Sequence, residues 1–182
     1  VQYFTEIGPA PFSIIAFHNR FLHQARDAYS VGAFYPALTS TCALGERILN
    51  HLILHLKDSF RSTPEYKRIF RKDSISDWEL AISTLESWNV LLPSVVSMFR
   101  DLMKIRHRSL HFNPETDTND RELALDALKK LSDIIVGQFA AIGPLPWFFM
   151  AGGATFVKKS EENRPFVEKI ILPCCHLVGP LH

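Results

Sequence analysis

The stretch PSVVSMFRDLMKIRHRSLHF, residues 93–112, decides how the rest of the chain is read. At about 100° per residue, Val95, Phe99, Leu102, Met103 and Leu110 form one apolar stripe along a helix. Pro93 suits a first helical turn, and Asn113-Pro114 breaks the run, because proline disfavours helical geometry in the residue before it. Arg106 stands in the middle of the stripe. An always-charged guanidinium is costly to bury unpaired, so Arg106 needs a counter-charge, a subunit seam or a cleft. His107 and His111 lie one turn apart on the polar side, His111 about 140° from Arg106 around the axis and in a last, loosened turn.

Outward from this helix, the same periodicity recurs. Residues 1–11, with Gly8-Pro9 and Pro11, read as an irregular lead-in. Ile14, Ile15, Phe17, Phe21, Leu22 and Ala25 predict a first helix from Phe12 to Tyr29, stopped near Gly32. Leu38, Cys42, Gly45, Leu49, Leu52 and Leu56 line one face of a second, Phe34 to Lys57. Glu46 lies at the margin of that face and is the best-placed anion to meet Arg106. Residues 58–74 form a polar connection with a short helix around Glu65 to Phe70, and Ser76-Asp77 caps a helix that buries Trp78, Ala81, Ile82, Leu85 and Trp88. Beyond the polar loop 115–119, Leu123, Leu125, Leu128, Leu131, Ile134, Ile135 and Phe139 mark a last helix from Asp120, ended by Gly143-Pro144.

The predicted fold is therefore mainly α: an up-and-down helical bundle of about five helices over residues 1–143. Residues 144–182 read as a small β-hairpin-like C-terminal extension packed on the bundle. Its strands are expected at Trp147–Met150 and Thr155–Val157 around Gly152-Gly153, with a third at Phe166–Leu172.

Composition narrows the function classes. An apolar share of 47% over 182 residues supplies one well-filled core and excludes a disordered chain. Twenty basic against nineteen acidic residues leave a formal charge of +1, so no broad field holds nucleic acid and any such site must be local. Arg100, Lys104, His107, Arg108 and His111 supply one cluster, whereas Lys67, Arg68, Arg71 and Lys72 read as a solvated face. Cys42 and the adjacent Cys174-Cys175 make no disulfide framework, and no apolar run of about 18 residues is present. A cytoplasmic protein with no membrane span is expected.

His18 and His23 lack a third ligand nearby and read as helix-surface or core groups. His51 and His55 have the spacing of two metal ligands but too few companions, and Cys174-Cys175-His176 does not close a tetrahedral site by itself. No metal and no cofactor are expected, since no Gly-rich phosphate loop or Ser-His-Asp elbow occurs either.

An arginine, a polar residue, three more residues and a histidine near the end of a helix, in an all-helical setting over residues 12–141, resembles the signature of the HEPN superfamily (higher eukaryotes and prokaryotes nucleotide-binding). Arg106, His107 and His111 match its three positions. The resemblance implies a metal-independent endoribonuclease, a homodimer whose two motifs meet in one composite active site, and a toxin-antitoxin or antiviral defence setting with an antitoxin or regulatory partner. Residue chemistry agrees with that activity. A histidine, whose ordinary pKa is about 6.5, can move protons while an arginine fork stabilises charge on phosphoryl oxygens. Arg106 and His111 are then the catalytic candidates and His107 and Glu46 the supporting ones, with Arg100, Lys104 and Arg108 as RNA-phosphate contacts.

Two other readings stand beside it. One is a catalytically silent HEPN-like module that binds RNA, nucleotide or a protein partner through the same groove. The other is a structural bundle in which Arg106 only pairs with Glu46, whose loss would cost on the order of 3 to 5 kcal/mol if the pair were buried.

Overall fold

The computed structural model describes residues 2–110, 120–140, 146–175 and 179–180. The chain is mainly helical. Its elements are α1 (Gln2–Glu6), α2 (Ala16–Ser30), α3 (Phe34–Leu56), α4 (Pro64–Ile69), α5 (Trp78–Ser87), α6 (Pro93–Leu110) and α7 (Asp120–Phe139), followed by β1 (Phe148–Ala151), β2 (Ala154–Val157) and β3 (Gly179–Pro180). The loop 115–119, His111 to Pro114 and Gly143-Pro144 lie outside the described residues.

Helix α3 is the axis of the bundle, packed on α2, α5, α6 and α7. Eleven of its residues are buried, from Ala37 to Leu56, and they include the whole face that the sequence marks as apolar. The turns that return the chain follow from local chemistry. Gly32, at φ +82°, closes α2 as its N–H bonds to Tyr29 O and the next N–H, of Ala33, reaches Ala28 O. Asn89, at φ 53°, does the same after α5, with Asn89 N–H on Glu86 O and Val90 N–H on Leu85 O. Asp77 caps α5 by accepting from the Leu80 N–H at 3.0 Å. The buried Gln138 amide ties α7 to the α5–α6 turn, accepting from Leu92 N–H at 3.0 Å and donating to Val90 O at 2.9 Å.

The structure departs from the sequence reading in three places. Residues 2–6 form a short helix rather than part of an irregular lead-in, held down by Glu6, which accepts from the Tyr29 hydroxyl at 2.9 Å and pairs with Arg121 at 2.6 Å. Helix α2 begins at Ala16 rather than Phe12. Ser13 to Ile15 are kept out of it because Ser13 bridges to Ala140, Ile14 N–H bonds to Phe139 O, and Asn19 Oδ1 takes the Ser13 N–H.

The third departure lies at residues 166–172, expected as a strand, where a helical turn spans Val167–Ile171 and a 3₁₀ turn follows at Leu172–Cys174. Phe166, Val167, Ile170 and Ile171 are buried while Glu168 and Lys169 are exposed, which is a helical rather than an alternating pattern.

The hairpin of β1 and β2 is as expected, with Ala151 opposite Ala154 around Gly152-Gly153, and β3 adds in parallel to β2. This C-terminal segment joins the same core: Trp147 is fully buried, with its ring 5.0 Å from Phe166, which in turn meets Phe139 of α7 at 6.0 Å.

Candidate functional site

Gly45 sets the geometry of the site. A Cβ there would lie 2.7 Å from Trp78 Cη2 and 3.0 Å from Leu102 Cδ2, so its absence lets α3 approach α5 and α6 closely. One residue further along α3, Glu46 comes between the Trp78 indole and the Arg106 guanidinium. Its Oε2 accepts from Trp78 Nε1 at 3.1 Å and from Arg106 Nη2 at 3.3 Å. The Arg106 guanidinium carbon is in turn 5.5 Å from the Trp78 ring centroid. The pairing of Arg106 with Glu46 is thus the one the helical patterns suggest. The indole as a third member is not legible from spacing, because Trp78 is 32 residues from Glu46.

The Arg106–Glu46 pair is only partly buried. The Arg106 side chain keeps 22% of its exposure and Glu46 37%, and both line a groove of about 360 Å³ together with Thr39, Ala43, Arg47 and Asn50. Glu46 engages the guanidinium at a single contact, so a fork with five N–H donors still has edges for an incoming anion. Asn50 fixes the end of the groove by pinning the segment before α5: its Oδ1 takes the Ile75 N–H at 2.6 Å and its Nδ2 donates to Ile75 O at 3.0 Å. Cys42, buried beside Arg106, has its thiol pushed up to about 12 by burial, against the pull of the Arg106 charge. A thiol so held stays protonated and is no nucleophile at neutral pH.

The other expected site residues are distributed differently. Arg100 bridges Glu86 at 2.7 Å and Glu79 at 3.2 Å, and Lys104 pairs with Asp101 at 3.0 Å. Neither lines the groove that holds Arg106. His107 and Arg108 are exposed on α6 and both take part in interactions. His111 lies outside the described residues.

Of the histidines away from the motif, His18 and His51 are core and packing groups. His18 is fully buried, its Nδ1 2.9 Å from Ser13 Oγ and its ring packed edge-on against Phe139 at 4.7 Å. Burial, with a smaller contribution from His51, pushes its pKa down to about 3. His51 is held down to about 4 by burial and by His55, whose ring is 4.2 Å away. His23 is exposed, and His176 lies outside the described residues. Among the described residues no group of three or more His, Cys, Asp or Glu is arranged to hold a metal ion, and no helix is long and apolar enough to cross a membrane.

Sequence reasoning missed Arg47, which shares the groove with Arg106. The available signal was helical spacing, since Arg47 stands four residues after Ala43 and three before Asn50 and so shares their face of α3. Set against protein-family models, curated proteins and solved structures, the chain matches none of them.

Proposed function

We propose that the protein is a metal-independent endoribonuclease of the HEPN type, acting as a homodimer with a composite active site in a toxin-antitoxin or antiviral setting. The observation that carries the reading is Arg106: an arginine in the apolar stripe of α6 whose guanidinium is half-buried, oriented by Glu46 and Trp78, and open to a groove. Preorganised positive charge in a partly desolvated cleft is what a phosphoryl transition state requires.

In the proposed reaction the substrate's own 2′-oxygen forms a bond to the adjacent phosphorus as the bond from phosphorus to the 5′-oxygen breaks. The 2′-hydroxyl loses its proton and the leaving 5′-oxygen gains one, with His111 as the proton-transferring group. Arg106 stabilises the negative charge that builds on the phosphoryl oxygens, and His107 supports the pair. The product carries a 2′,3′-cyclic phosphate and a free 5′-hydroxyl.

A second reading, a catalytically silent module that binds RNA, nucleotide or a protein partner, is favoured by one observation. Glu46 already offers Arg106 a counter-charge, which reduces the positive charge left to stabilise a phosphoryl transition state. The deciding experiment incubates wild type, Arg106→Ala and His111→Ala with labelled single-stranded RNA in EDTA and identifies the product ends. Cleavage by wild type alone, leaving cyclic phosphate, is the expected result. Full activity of His111→Ala would overturn the mechanism, and binding without cleavage by wild type would favour the silent module.

A further inference from the structure

The arginines of this protein differ in what holds them: Arg26 donates to the Ile7 and Gly8 carbonyls, and Arg71 rests on the Phe70 ring. Arg61, Arg100, Arg106, Arg121 and Arg164 each pair with a carboxylate. Arg20 of α2 and Arg47 of α3, both exposed, make no such pair among the described residues and converge instead on one ring. Each guanidinium carbon lies 4.7 Å from the Phe21 centroid. With both carbons 4.7 Å from one centroid, the two like charges lie no more than about 9 Å apart, comparable to the screening length of about 8 Å, and together they raise the local positive potential and favour a nearby anion.

The placement is continuous with the Arg106 groove. Arg47 lines that groove together with Thr39 and Ala43 of α3, and α3 packs on both α2 and α6. A track therefore crosses three neighbouring helices, from Arg106 over α3 to Arg47, Phe21 and Arg20. From Thr39 to Asn50 its α3 portion is about 16 Å long, at about 1.5 Å per residue.

We propose that Arg20, Phe21 and Arg47 form a substrate subsite that holds single-stranded RNA leading into the Arg106 groove. The guanidiniums bind backbone phosphate, and an Arg plane steadied on Phe21 offers a surface on which an unpaired base stacks. This inference rests on the RNA reading of the Arg106 groove. It moves the main backbone contacts from α6, where Arg100 and Lys104 are engaged by carboxylates, to α2 and α3.

The test is fluorescence anisotropy with a labelled 2′-O-methyl RNA strand, which lacks the attacking hydroxyl and stays intact whether or not the protein is a nuclease. Wild type, Arg20→Ala, Arg47→Ala, Arg47→Lys and, as a surface-charge reference, Lys67→Ala are titrated over a range of salt. Arg20→Ala and Arg47→Ala should each weaken binding about tenfold and flatten the log-log salt dependence by about 0.7. Arg47→Lys should keep the salt slope and lose several-fold affinity, because an ammonium does not stack. A duplex of the same sequence should bind more weakly than the single strand.

Wild-type affinity and slope in both Ala variants would overturn the subsite and leave Arg106-dependent cleavage standing. Equal binding of duplex would overturn base stacking on the track. Binding through Arg20 and Arg47 by a protein that cleaves nothing would retain the track and remove the ribonuclease, and absence of any binding by wild type would overturn the track, with the ribonuclease decided by the cleavage assay.

Discussion

Mild acid should destabilise this protein through His18. The ring is completely buried, so the charged form is excluded from the fold and its pKa sits at about 3, whereas an unfolded chain releases it to its ordinary value near 6.5. The sign follows from which state binds more protons. Above pH 6.5 neither does; between 6.5 and 3 the unfolded chain holds one proton more at His18, so stability falls as pH falls.

At about 1.36 kcal/mol per pKa unit, lowering the pH from 7.5 to 5.0 removes roughly 2 kcal/mol at His18 alone. His51, held at about 4 but only partly buried, adds at most a similar amount, reduced by its contact with solvent. Glu6, Glu65 and Asp101, all held below their ordinary values, give up their contribution mainly below pH 5 and leave this window to the histidines.

The assay is urea unfolding at half-unit steps across that range, with a midpoint shift of about 1 M for each 2 kcal/mol. His18→Gln removes the titrating group while an amide can still meet Ser13. Whatever its absolute stability, its slope against pH should be no more than about half that of wild type. Equal slopes in the two proteins would refute the assignment of the acid sensitivity to the buried ring.

Two further outcomes follow from the clamp. Glu46→Ala should cost about 1 to 2 kcal/mol in urea or thermal unfolding, below the 3 to 5 of a buried pair, because both partners retain contact with water; a loss near 5 would mean the clamp is desolvated in solution. Gly45→Ala should destabilise by about 1 to 3 kcal/mol and shift Trp78 fluorescence, since the added methyl would overlap the indole; an unchanged Tm and spectrum would show that α3 and α5 are not in close approach.

Much of the scaffold was legible because burial on a helix repeats every 3.6 residues. The apolar faces of α3, α5, α6 and α7 follow from that period, and Asp77, Gly32 and Pro93 mark ends whose chemistry is local. The same logic misread residues 166–172, where a run of seven with five apolar members is too short to separate the two periods. It also missed α1, whose five residues bury none of their own side chains and are held by Tyr29 and Arg121 from elsewhere in the chain.

By itself, the sequence determined the helical bundle, the glycine-turned hairpin and the anomaly of an arginine in an apolar stripe with Glu46 as its best-placed partner. These are properties of neighbours along a chain, set by helical periodicity and by the cost of burying charge. Only the tertiary structure decided that Trp78 completes the clamp, that Arg100 is taken up by Glu79 and Glu86, and that Arg20 and Arg47 meet over one ring. Apart from Arg20 on its neighbour Phe21, those contacts join different helices, so they depend on how close and at what rotation the helices pack, and at Gly45 that approach is set by the absence of one methyl group.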